Sequence, residues 1–104
     1  MIAAFSITPL GVGESVGDVV AECVAIVRAS GLRSETNAMF TNVEGEWDEV
    51  MAVIGRCVEH VATVAPRVSI VIKADHRPAV EDALAHKNAR VARMVAPDDD
   101  RLSD

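Results

Sequence analysis

Tyrosine is absent from this 104-residue chain, and the other large rings are scarce: two phenylalanines and one tryptophan. A surface that stacks bases needs aromatic faces, and one that tracks phosphates needs clustered Lys and Arg. With 10 basic against 16 acidic residues, a net charge of −6 and no basic run, the chain is not built for nucleic acid. The balance suits a small neutral or cationic ligand better than a polyanion. Cysteine is limited to Cys23 and Cys57, without the C-x-x-C spacing of zinc or redox sites. Both read as small core hydrophobes on separate helices. His60, His76 and His86 are spread along the chain without ligand spacing, so no metal site is expected. No apolar run approaches the roughly 20 residues needed to span a bilayer. Ile2–Ile7 is too short for a signal peptide and lacks its basic start. The expectation is a soluble cytoplasmic protein with reduced thiols.

What remains is a chain that is 50% hydrophobic and of a length that makes one domain. At this size only about 60–70% of the unfolded surface is buried. With little aromatic volume to fill a core, self-association offers further burial.

Ile2–Thr8 predicts a strand with both faces largely apolar until Ser6 and Thr8, as for a strand covered on two sides. Pro9 is expected to stop it. Residues 9–14 then read as a loop. Gly11 and Gly13 stand there without the Lys or the spacing of a phosphate loop. Ser15 is a good N-cap for a helix over 15–30, with Asp18 in its first turn and Gly31 as its stop. Residues 32–37 and 40–44 predict a short, polar antiparallel pair. That polarity suits a solvated edge or a binding site.

Trp47, Val50, Met51, Ile54, Cys57, Val58 and Val61 recur at helical spacing and predict an amphipathic helix over 46–63. Residues 67–74 predict the strongest strand. Pro78 suits the first position of a third helix over 79–87, with Val80, Ala83 and Leu84 inward. Residues 90–95 predict a short last strand. Residues 1–96 thus form the domain, and 97–104 an acidic, loose tail.

The order strand, helix, strand, strand, helix, strand, then an extra helix is the βαββαβ pattern of an α+β, ferredoxin-like sandwich with an antiparallel sheet. Its helices cover one face. The apolar second face of the first strand needs its own cover, and another copy of the chain is the economical one.

Several segments together carry a family likeness: Thr8-Pro-Leu-Gly11, Ser30-Gly31, Asn37-Ala-Met-Phe-Thr41, Val43-Glu-Gly-Glu-Trp-Asp-Glu-Val-Met51 and Ile72-Lys-Ala-Asp-His-Arg77, with Lys87 downstream. Over about residues 2–95 the chain resembles the thiamine-binding-like proteins of the UPF0045 or DUF77 family, the MTH1187/YkoF-like group. The resemblance implies a ferredoxin-like domain that assembles into homodimers or homotetramers. It also implies binding of thiamine or its hydroxymethylpyrimidine half in some members, with no enzyme activity established as a family property. Where the family tends to carry Gly before the Thr of its central motif, this chain has Phe40, which bears on the ligand more than on the fold.

An aminopyrimidine presents ring-nitrogen acceptors and an amine donor, which amides, hydroxyls and carboxyls complement. The candidate contacts are Asn37 and Thr41, with Ser6 and Thr8 approaching from the first strand. Glu44 is the candidate carboxyl, held protonated to donate to the ring nitrogen. Each has a plainer reading: Asn37 and Thr41 as turn or strand residues, Glu44 as a helix-dipole partner. Trp47 is either a core cap or a face for the thiazolium ring, a role Phe40 can also fill. Asp75 and Arg77 read as a structural ion pair. No catalytic triad or Cys–His pair can be argued, so no cofactor or turnover is expected. Two rival readings stand: a small ferredoxin-like oxygenase or isomerase using His76 or Trp47, and a ligand-responsive regulatory module.

Overall fold

The computed structural model describes residues 1–12, 17–77 and 83–95. Its elements are β1 (Ile2–Leu10), α1 (Gly17–Ala29), β2 (Arg33–Thr36), β3 (Thr41–Glu44), α2 (Trp47–Ala62), β4 (Arg67–Asp75) and α3 (Ala83–Val95). The four strands make one antiparallel sheet in the order β2-β3-β1-β4. This is the expected α+β architecture.

The register sorts the side chains. Directly opposed residues share a face. Ala3 pairs with Val43 and Ala74, and Phe5 with Thr41 and Ile72, so these share the face packed by α1 and α2. There Ala3, Phe5 and Val43 join Cys23 and Val27 of α1 and Val50, Val53, Ile54, Cys57 and Val61 of α2 in one buried cluster. Each buried Val or Ile contributes about 1.5–3 kcal/mol through apolar area removed from water. α2 starts where the sequence puts it. The Glu46 N–H donates to Glu49 Oε1 at 3.2 Å, and Asp48 and Glu49 lie in the first turn, where the helix dipole favours anions. α1 ends at Ala29, and just beyond it Gly31 takes a φ of 79°, open to glycine at little cost. The expected N-cap Ser15, Pro78 at the expected first position of the third helix, the inward Val80, and the tail 97–104 lie outside the described residues, as do the side chains of Ala83 and Leu84.

Three expectations change. β1 does not stop at Pro9 but runs to Leu10, with Pro9 opposite Val68. β3 accompanies β1 only from Ile2 to Phe5. Beyond that point β1 has a neighbour on one side alone, and Pro is tolerated in an edge strand. Residues 90–95 are helix, not strand: Ala89, Arg90, Ala92, Arg93 and Met94 are good helix formers, and they continue α3 to Val95.

The third change concerns the sheet's second face, which carries Ile2, Ala4, Asn42, Glu44, Glu35 and Asp75. The chain's own α3 crosses one end of it. Lys87 Nζ lies 2.7 Å from Asp75 Oδ2, and Asn88 Nδ2 donates to Glu35 Oε2 at 2.6 Å. Ile2, at that end, is only 8% exposed. Toward the other end Thr8, Leu10, Ser69 and Val71 remain exposed.

Candidate functional site

Because β3 leaves β1 after Phe5, the following stretch of β1 has no strand on that side. The β2–β3 turn and α1 close around the opening. The result is a groove of about 360 Å³ lined by Ser6 to Pro9, by Val20 and Cys23 of α1, and by Thr36 to Thr41. That volume lies at the small end of the roughly 300–1,000 Å³ range of ligand pockets.

The turn is set by Asn37. Its Oδ1 accepts the N–H groups of Met39 and Phe40, both at 2.9 Å, and its own N–H donates to the Phe40 carbonyl at 2.9 Å. This is an Asx-type turn, which Asn supplies because its short amide reaches the backbone two and three residues on. The amide Nδ2 remains as a donor. Thr36 and Thr41 face each other with their Oγ1 atoms 3.3 Å apart. Either hydroxyl can donate to the other or turn toward a ligand. Phe5, Ile7 and Val61 supply apolar wall and Phe40 stands at the turn. Ser6 and Thr8 belong to the opposite face by register and reach the groove along the open strand edge. No acidic, basic or histidine side chain is among the lining residues.

The structure therefore brings Ser6, Thr8, Asn37 and Thr41 together and separates Glu44 and Trp47 from them. Glu44 stands at the far end of β3, opposite Ile2 and Arg33. Trp47 opens α2 at that same end and is 54% exposed, so it neither caps the core nor faces the groove. The sequence reading missed Thr36, Met39 and the α1 wall. Thr36 had a legible signal, since in a tight hairpin the residue before Asn37 must oppose Thr41.

Cys23 and Cys57 are confirmed as buried free thiols at the α1–α2 contact. The Cys57 S–H donates to the Cys23 carbonyl at 3.6 Å and the Cys23 S–H to that of Cys57 at 3.9 Å. Burial, and then the neighbouring Cys23, push the Cys57 thiol up to about 12, and burial likewise raises Cys23. Both stay protonated at neutral pH, and the thiolate is the reactive form. His60 pairs with Glu22. Asp75 pairs with Lys87 rather than with Arg77. The hydrogen bond and charge of Lys87 hold its carboxyl below the usual range, with Arg77 a lesser influence. Among the described residues no group of His, Cys, Asp and Glu side chains can hold a metal, and no helix is long and apolar enough to cross a membrane.

Residues 3–92 match the family described as thiamine-binding protein. A UPF0045 protein of Mycobacterium bovis is 58% identical over 96 residues, covering 91% of this chain and 94% of the relative. The crystal structure of a Methanocaldococcus jannaschii protein superposes with a TM-score of 0.80 at 32% identity, covering 88% of this chain and 94% of that one. A Thermotoga maritima protein, whose name proposes a part in thiamine biosynthesis or salvage, shares the fold at a TM-score of 0.73. Its identity is 16%, over 86% of this chain and 96% of that one.

Proposed function

The chain belongs to the thiamine-binding protein family, and from that premise we propose that its groove binds thiamine or the hydroxymethylpyrimidine half of thiamine, as a carrier rather than a catalyst. One observation carries this reading: a largely apolar slot with no acidic, basic or histidine lining has hydroxyl and amide groups at its mouth. The Thr36–Thr41 hydroxyl pair and the Asn37 Nδ2 group meet an edge that alternates acceptors and a donor, which an aminopyrimidine presents. Ser6 and Thr8 contribute from the open edge of β1. Phe40 offers its ring to the cationic thiazolium, an interaction of about 0.5–2 kcal/mol, and the chain's negative charge favours that cation. Glu44 and Trp47 stand too far along β3 and α2 to take part. A catalytic reading would ask for His76 or Trp47 beside the ligand, and neither lines the groove. We place the protein in the cytoplasm, as a homodimer or homotetramer.

Calorimetry with thiamine and with hydroxymethylpyrimidine tests the assignment. Binding should appear with at least one of them. Thr41→Val should weaken it about tenfold, as expected for one lost hydrogen bond to a buried ligand edge, with little change in melting temperature. Glu44→Gln should bind as the wild type does. No heat from either compound up to millimolar concentration sinks the reading.

A further inference from the structure

Met39 stands at the tip of the β2–β3 turn with its backbone fixed. Its N–H donates to Asn37 Oδ1 at 2.9 Å, as does that of Phe40. Its side chain lines the groove and is nevertheless 74% exposed. From α1, Val20 also lines the groove and is 45% exposed. Exposed apolar groups that flank a pocket mark surface that a ligand can cover. The two differ in reach. Val20 is branched at Cβ and stiff, whereas methionine has three rotatable bonds and a polarisable sulfur that suits aromatic rings. From an anchored backbone, the Met39 side chain can fold across the mouth without the hairpin moving.

We propose that Met39 is the lip of the groove: its thioether closes over the ring of a bound planar ligand, and oxidation of that sulfur by a peroxide weakens the hold. The ligand side rests on the binding proposed above, and the oxidation side does not. In the oxidation the sulfur attacks one peroxide oxygen, an S–O bond forms and the O–O bond breaks. The departing hydroxide takes the proton of the transferred oxygen and leaves as water. Sulfur gives up an electron pair, and the peroxide is reduced by it. The product is methionine sulfoxide, a polar group that sulfoxide reductases restore. The other sulfur at the groove is a poorer target, since Cys23 is buried and its thiol stays protonated. Met94 supplies an internal comparison, being 59% exposed on α3 and not among the lining residues.

The test treats the protein with hydrogen peroxide, removes the peroxide, and combines peptide mass spectrometry with calorimetry against thiamine and hydroxymethylpyrimidine. Met39 and Met94 should each gain one oxygen ahead of the half-buried Met51. Wild-type affinity should then fall about fivefold, as for one lost sulfur–ring contact. Met94→Leu should respond as the wild type does. Met39→Leu should start about twofold weaker and lose nothing more on treatment. Ligand present during treatment should slow oxidation at Met39 and leave that at Met94 unchanged. If neither compound binds the untreated protein, the carrier reading and the lip fall together. If the untreated protein binds, but Met39 sulfoxide binds equally well or bound ligand does not slow its formation, the lip falls and the carrier reading stands. Oxygen on Cys23 in place of Met39, or a loss of affinity that persists in Met39→Leu, overturns the oxidation.

Discussion

Asn37 does two things with one amide. Its oxygen holds the turn through the Met39 and Phe40 N–H groups, and its nitrogen stays available to a ligand. The two roles separate by substitution. Asn37→Ala removes both hydrogen bonds and should cost about 1–2 kcal/mol of unfolding free energy, measured by urea titration. Asn37→Asp keeps the acceptor and loses the donors. It should unfold near the wild-type midpoint while binding hydroxymethylpyrimidine several-fold more weakly in calorimetry. The plain reading of Asn37 as a turn residue was thus legible from its place in a polar hairpin. Its second use depends on β3 ending early, which no local pattern encodes. Cys57 gives a residue-scale prediction in pH. Its folded value is about 12, against roughly 8.5 for a free thiol. The folded state therefore holds the proton that the unfolded chain releases. The associated stability is fully present below pH of about 8.5 and declines as the pH climbs toward the folded value. Melting temperatures followed upward from neutral pH should fall less in Cys57→Ala, once compared with that variant's own value at pH 7.

At the scale of elements, α3 is held to the second face by polar contacts: Lys87 to Asp75 and Asn88 to Glu35. Lys87→Met should return the Asp75 carboxyl toward the ordinary value near 3.9, read by NMR titration, and should speed amide exchange in α3. The sign follows from a lowered folded value. The contribution is present above the unfolded value and lost as the pH falls through the folded one. α1 and α2 could be read from periodicity because one stripe of each meets the core, and β4 from its run of β-branched residues. Residues 90–95 could not be. Val91, Met94 and Val95 are 56%, 59% and 68% exposed, so no buried face disciplines their pattern, and helix propensity decides instead. Pro9 was misread for a related reason. Its tolerance depends on β1 losing a neighbour after Phe5, and that neighbour comes from residues more than thirty positions away.

For the molecule as a whole, the proposed self-association would make stability depend on concentration, because only the folded chain pairs. On that proposal the melting temperature should rise with protein concentration, read by thermal denaturation over a roughly hundredfold dilution series. The βαββαβ order was legible because each element announces itself locally and the order restricts the sheet. The composition of the site was only half legible. Glu44 and Thr41 sit three residues apart in sequence, yet a strand advances about 3.3 Å per residue, so the same strand delivers them to different ends of the sheet.

That strand has a further consequence. If β2 and β3 were each two residues longer, β3 would lie alongside Ser6 and Ile7, its amides bonding to theirs, and the hollow would fill with backbone. The capacity to hold a guest is therefore a remainder left by an incompletely closed zip. Lengthening the hairpin arms should abolish that capacity even with every lining side chain kept.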